Sequence, residues 1–444
     1  MDPDPTRILQ RLPDGTVRQQ SPITGTVVWT VPGRSDRPLP SPLPPPRPLA
    51  EDDLDRWCAF CPGRYLETPP ERARLLLDPA RGGDRPWRIQ RELTAEAVTA
   101  QVADFRRIPN LFEILPFEYW HANHGYELPA DALDRARAYV ATPAGRDHAL
   151  AIKRTRMRAA GATAGEVAKA PESALLARAG SLFASSHDVV VARRHFVDGA
   201  TQDHDLAGSG DLTADEHHAF LAFTVDALQD LATATPDTRY VAVFQNWLRP
   251  AGASFDHLHK QLVAIDELGP LMSRTVAMLA GTPDLFNTWL ADPAARDRLV
   301  IAENDHALAI AGVGHRYPTV EILSTARAHR PWEHDAPALR DLSDLLHACH
   351  AATGRLIPTN EEWHYRPVDV GAAMPWRINL KWRVSTLAGF EGGTKINVNT
   401  ISPFTLRDRM VNALQQLRDA GRIGPMAIGD ECAHRPGALR YATA

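Results

Sequence analysis

Between Phe244 and Asp266 the chain reads FQNWLRPAGASFDHLHKQLVAID. His257 and His259 stand one residue apart, and Gln261 lies two further on. On a strand, the period of two turns all three side chains to one face. Gly252-Ala253-Ser254, just upstream, is a small-residue loop that lets backbone N–H groups approach an anion such as phosphate. An imidazole beside such a loop can attack phosphorus, forming a phosphohistidine and splitting one difficult transfer into two easier ones. The attacking ring must be neutral, so its second nitrogen needs an acceptor such as a backbone carbonyl. Two histidines alternating on a strand are often incidental. It is their company, Asn246 before the loop and Gln261 after, that points to chemistry.

Other residue groups carry a weaker signal alone. Cys58-Ala-Phe-Cys61-Pro-Gly has the spacing of two thiolates on one tetrahedral zinc, and equally that of a redox pair or two buried cysteines. Since no second C-x-x-C exists, any further ligands would have to be histidines. Arg34 and Arg37, in the Pro/Gly-rich PGRSDRP, could grip a phosphate in bidentate fashion or simply be exposed. Pro109-Asn110 reads as a turn, and Gly392-Gly393 in LAGFEGGTKIN as a turn needing positive φ.

These residues need a frame. Val17 to Val31 reads as a β-hairpin, and the proline-rich stretch Pro38 to Leu49 as extended chain unable to enter a sheet interior. Residues 50–110 hold the cysteine pair and two short strand candidates. From Pro116 to Ser186 the composition is helical, and its basic run Ala151 to Gly161 reads first as a solvated face, otherwise as a contact for an anion. Two later segments repeat the order strand, helix, paired strands. One starts at His187 and runs through Thr213 to Leu231, RYVAVFQNWL and KQLVAID; the other starts near His306 and runs through Ala338 to Leu356 and RINLKWRV. The expected architecture is α+β: antiparallel sheet with helices on one face, built twice. The expected halves are residues 1–280, with a helical insertion at about 116–186, and residues 281–444.

Length and charge set the outer limits. A chain of 444 residues has core enough for two or three domains. A net charge of −5 offers no general attraction to nucleic acid or anionic membrane, so phosphate binding needs a local cluster of cations. MDPDPTRILQ lacks the basic and apolar regions of a signal peptide, no run is long and apolar enough for a membrane span, and four cysteines are too few for a disulfide scaffold. A cytoplasmic location is expected.

Taken together, Asn246, the Gly-x-Ser loop, His257-Leu-His259 and Gln261 resemble the active-site motif of the galactose-1-phosphate uridylyltransferase family, within the histidine-triad superfamily. The resemblance implies a duplicated histidine-triad-like fold and a covalent nucleotidyl-histidine at His259. Asn246, Ser254 and Gln261 would contact the transferred phosphate. It also implies a Zn(2+) held by Cys58, Cys61, His257 and a histidine in the His187–His195 region, with His195 preferred to His187. Ser21-Pro-Ile-Thr-Gly followed by P-x-R-x-x-R-P is similar to the family's opening and implies that Arg34 and Arg37 bind phosphates. Pro109-Asn110-Leu-Phe112 is similar to its P-N-x-F, placing Asn110 near the nucleoside. Leu387-Ala-Gly-Phe-Glu391-Gly-Gly-Thr394 resembles a segment of the ADP-glucose phosphorylase-like subgroup, implying that Glu391 and Thr394 meet the sugar phosphate. Two departures stand out. Leu258 replaces the usual proline, and Pro375-Trp376-Arg377 replaces a second H-x-H, which implies loss of a second metal site although His364 remains nearby.

The implied activity is nucleotidyl transfer between a nucleotide sugar and a phosphorylated acceptor such as hexose 1-phosphate. The alternatives are a nucleotide-sugar phosphorylase, a nucleotide phosphohydrolase, or a nucleotide-binding protein whose acceptor site has decayed. A homodimer is the assembly the resemblance implies.

Overall fold

The structure, a computed structural model, describes residues 8–33, 45–78, 86–433 and 435–442. Its centre is a twelve-stranded sheet in which every neighbouring pair is antiparallel. A smaller sheet is formed by β1 (Leu9–Arg11), β2 (Val17–Gln20) and β3 (Val27–Thr30), with β15 (Ile396–Val398) added parallel to β3. The expected hairpin is thus β2–β3, closed by the turn Ser21-Pro-Ile-Thr-Gly. Residues 50–110 supply three strands, not two: β4 (Ala73–Leu77), β5 (Trp87–Arg91) and β6 (Phe105–Pro109).

The duplication is legible in the strand order. β6 and β7 (His187–Ala192), the helix Ala214–Thr233, β8 (Tyr240–Trp247) and β9 (His259–Ile265) assemble as β6-β7-β9-β8. β10 (Val300–Glu303) precedes the second set. There β11 (Ala307–Ala311) and β12 (Thr319–Ser324), the helix Ala336–Thr353, β13 (Thr359–His364) and β14 (Arg377–Trp382) assemble as β11-β12-β14-β13. The two sets meet where β8 pairs with β13, Asn246 opposite Asn360. The sheet ends at β5 on one side and at β16 (Ala427–Ile428) on the other.

Both long helices begin at strong caps. Thr213 accepts the N–H of Glu216, and Glu216 accepts that of Thr213; Asp335 accepts the N–H of Ala338. The helices cover one face of the sheet. On β9 the alternation sends Lys260, Leu262 and Ala264 toward them, with the Lys260 ammonium over the ring of Phe220 at 5.0 Å. Buried Lys260 reaches Glu361 on β13 at 2.5 Å, and Glu361 also accepts from His350 at 2.7 Å, so the ion pair bridges the two sets. His259 and Gln261 face the other way.

The stretch 116–186 is helical, with segments Phe117–His124, Ala130–Ala141, Pro143–Ala159, Ala164–Lys169 and Glu172–Ala177. It has a core of its own around Tyr139, Ile152 and Phe183. The basic run is not simply solvated: Lys153 donates to Ser181, Arg154 pairs with Glu172, and Arg156 pairs with Glu113.

Candidate active site and metal centre

Cys58 and Cys61 lie on one tight turn, closed by the Cys61 N–H on the Cys58 carbonyl. His195 follows β7 and His257 precedes β9, so adjacent strands deliver the two histidines to that turn. The sulfurs are 3.8 Å apart. The Nδ1 atoms of His195 and His257 lie 3.4 and 3.5 Å from Cys58 Sγ, and 3.6 and 3.8 Å from Cys61 Sγ. Tetrahedral zinc with ordinary bond lengths has edges of about 3.8 Å between sulfurs and about 3.5 Å between sulfur and nitrogen. The sulfur–sulfur and sulfur–nitrogen edges of the donor set therefore match those of the ion. All four side chains are buried. The other ring nitrogen of His257 donates to the Ala192 carbonyl at 2.7 Å, which fixes the tautomer and leaves Nδ1 as a ligand. The hydrogen bond from Cys58 pushes the Cys61 thiol down against its burial, so one thiolate of the pair is favoured. His195 stands in the cluster and His187 does not. Among the described residues this is the one such group.

His259 begins β9 two residues further on. Its Nδ1–H donates to the carbonyl of His257 at 2.6 Å, leaving the Nε2 lone pair free, and Phe60 from the cysteine turn packs on the ring at 5.3 Å between centroids. Burial pushes its pKa down to about 4, so the ring is neutral near neutral pH. A neutral imidazole with one nitrogen fixed as donor and the other unprotonated is equipped to act as a nucleophile.

On the same sheet face, Gln261 Oε1 lies 3.1 Å from His187 Nε2 and 3.4 Å from Asn110 Nδ2. Asn110 is held by its N–H on the His187 carbonyl and by the Phe112 N–H on its Oδ1. Behind this loop, Arg156 of the helical insertion donates to the Asn110 carbonyl and to Glu113, and Ser185 donates to Glu113. Burial raises Glu113 to about 7 in spite of Arg156. The contribution of His187 and of the insertion to this corner was not foreseen; it depends on the pairing of β6 with β7, which no local motif encodes.

The loop before His257 turns sharply. Leu248 has φ +67° and Gly252 φ +90°, a conformation that glycine alone adopts without cost. The N–H groups of Gly252 and Ala253 close the turn on the carbonyls of Arg249 and Leu248, so the expected anion-facing amides are not these two. Ser254 is exposed at the loop tip. Asn246 Oδ1 accepts from Asn360 Nδ2 at 2.7 Å, a partner the sequence reading missed.

Arg34 and Arg37 fall outside the described residues. Glu391 and Thr394 belong to the one-turn helix Gly389–Thr394 beside β15, where Glu391 accepts the Ala388 N–H and Thr394 donates to the Phe390 carbonyl. The positive φ of that segment is at Lys395, not at Gly392 or Gly393, because the glycines are taken up in the helical turn. Glu71, near the cysteine pair, is buried against Arg74 and Arg106 and serves the fold. Arg377 opens β14 as His259 opens β9, and pairs with Glu321 at 2.8 Å, while His364 contacts Asn379 at 3.3 Å. An arginine paired with a carboxylate thus stands at the start of β14, where the sequence has Pro375-Trp376-Arg377.

A family model described as a domain of unknown function, DUF4921, matches residues 12–441. The chain belongs to the DUF4921 family. This DUF4921 chain is also similar to a curated ADP-glucose phosphorylase of Arabidopsis thaliana, 28% identical over 176 residues, which cover 37% of this chain and 49% of the relative. The match thus spans about half the length of that protein. Two solved structures share the fold. An ADP-glucose phosphorylase from Arabidopsis thaliana with bound ADP-glucose is 19% identical with TM-score 0.52, covering 89% of this chain and 97% of its own. A galt-like protein from Arabidopsis thaliana is also 19% identical with TM-score 0.52, covering 88% and 97%. The DUF4921 chain therefore has the α+β fold of galactose-1-phosphate uridylyltransferase-like proteins and ADP-glucose phosphorylase.

Proposed function

We propose that this protein transfers a nucleotidyl group from a nucleotide sugar by way of a covalent bond to His259, with zinc in the site of Cys58, Cys61, His195 and His257. The observation that carries the reading is the state of one ring: His259 is buried and neutral, with Nδ1–H fixed on the His257 carbonyl and Nε2 free. With four protein ligands the ion would have no open position, and it would anchor the strand bearing His259 to the cysteine turn.

In this mechanism His259 Nε2 attacks the α-phosphorus. The bond from phosphorus to the bridging oxygen breaks, and sugar 1-phosphate departs with the electron pair. Nδ1 keeps its proton, and the His257 carbonyl faces the positive charge the ring acquires. An oxygen of the acceptor phosphate then attacks, the P–N bond breaks, and neutral His259 is restored. Gln261, Ser254, Asn246 and the two N-terminal arginines are assigned to the phosphoryl oxygens, where charge builds in the transition state.

Inorganic phosphate as the acceptor is favoured by the similarity to an ADP-glucose phosphorylase. Mass spectrometry of the intact chain after incubation with UDP- and ADP-sugars should show the mass of one nucleotidyl group, absent in His259→Gly. Discharge by inorganic phosphate or by hexose 1-phosphate then tells phosphorylase from transferase. Near-full turnover by the His259→Gly variant rules the mechanism out.

A further inference from the structure

Across the β8–β13 junction, on the sheet face that carries His259, lies a polar basin of about 340 Å³. Among the described residues, Arg316, Lys381 and Arg383 line it against a single carboxylate, Glu362, and Thr24 and Thr26 from the β2–β3 turn close one side. Two of its cations are anchored, Arg383 and Lys381. The Arg383 guanidinium lies over the Tyr317 ring at 4.6 Å and donates through Nη1 to Asn360 Oδ1 at 2.6 Å. Arg316 approaches the same ring at 5.6 Å, and Lys381 is held by Glu362 at 2.6 Å. Arg383 Nε is buried and has no acceptor among the described residues. Three cations against one acid, one of them a pre-oriented arginine with donor capacity to spare, make a site for a compact anion.

The basin is joined to the His259 side through one amide. Asn360, which receives Arg383 on its oxygen, uses its nitrogen to donate to Asn246 Oδ1 at 2.7 Å and to the Ala251 carbonyl at 2.8 Å. Asn360 sits opposite both Asn246 and Lys381 in the sheet, so the basin starts one strand spacing, about 5 Å, from Asn246.

We infer that this basin binds a phosphate dianion, the acceptor phosphate of the transfer proposed above, and that Arg383 is its principal ligand. The inference rests on that functional reading for the word acceptor, but the binding of phosphate does not. The shared chemistry is a phosphate group, carried either by inorganic phosphate or by a hexose 1-phosphate.

Isothermal titration of the full chain with inorganic phosphate and, separately, with glucose 1-phosphate tests it, with thermal melting of each variant alongside. Arg383→Gln should raise the Kd for phosphate about tenfold or more, and Arg316→Ala, at an exposed position whose loss the fold tolerates, should raise it by a smaller factor. Tighter binding of glucose 1-phosphate than of phosphate, lost in Arg383→Gln, assigns the basin to a sugar phosphate; equal binding assigns it to inorganic phosphate. Phosphate affinity unchanged in both variants, or no phosphate binding by the wild type, overturns the proposal. If phosphate binds through Arg383 while no nucleotidyl adduct forms on His259, the catalytic reading fails and the basin stands; the reverse result removes the basin alone.

Discussion

The carbonyl of His257 accepts the Nδ1–H of His259 at 2.6 Å, while the ring of the same His257 lies 3.5 and 3.8 Å from the sulfurs of Cys58 and Cys61. One residue therefore serves the cysteine–histidine cluster with its side chain and the neighbouring imidazole with its backbone. Whatever fixes the first also fixes the direction of the second.

Loss of metal should consequently disturb both stability and reaction. Cys61→Ser is expected to reduce bound metal from one ion per chain to none, to lower stability by about 3 kcal/mol or more, and to slow adduct formation. Elemental analysis and thermal melting check this. A wild-type chain purified without metal, melting as the variant does, contradicts the centre.

Asn360 should act on chemistry it does not touch. Asn360→Ala leaves Asn246 Oδ1 and the Ala251 carbonyl without their shared donor, freeing both the amide and the loop. The expected loss is on the order of 10²-fold in the rate of adduct formation, with a smaller change in substrate affinity. Single-turnover kinetics separate the two quantities, and an unchanged rate denies Asn360 this positioning role.

Lys260 and Glu361 form an ion pair buried on the helix-covered side of the sheet. Lys260→Met alone strands the Glu361 charge and should cost about 3–5 kcal/mol, whereas Lys260→Met with Glu361→Gln should recover much of that loss. Urea denaturation of the single and double variants measures the coupling; additive effects would show that the pair does not bridge the two sets.

Glu321 gives a pH dependence of known sign. Burial alone would raise its pKa, but His315 and Arg377 outweigh burial and hold it at about 2. Its folded value is below the unfolded one, so its contribution is fully present above about pH 4.5 and fades as pH falls toward 2. The stability gap between wild type and Glu321→Gln should be about 3 kcal/mol at pH 7 and should narrow over that window. A gap independent of pH would mean that the carboxylate is not held by these partners.

Short-range spacing carried much of the site. The C-x-x-C turn and the alternation of His257, His259 and Gln261 are consequences of sequence separations of two or three residues, and backbone geometry converts such separations directly into proximity. Strand-helix-strand order was likewise readable, because apolar periodicity and helix caps are local. Tertiary pairing decided the rest. The resemblance already preferred His195 to His187 as a ligand; the β7–β9 ladder is what brings His195 to the cysteine turn and leaves His187 beside Gln261 and Asn110. Only the β8–β13 junction put Asn360 against Asn246, more than a hundred residues away in the chain. A side chain's neighbours along the strand are written in the sequence; its neighbours across the sheet are set by register, which the packing of the whole chain fixes.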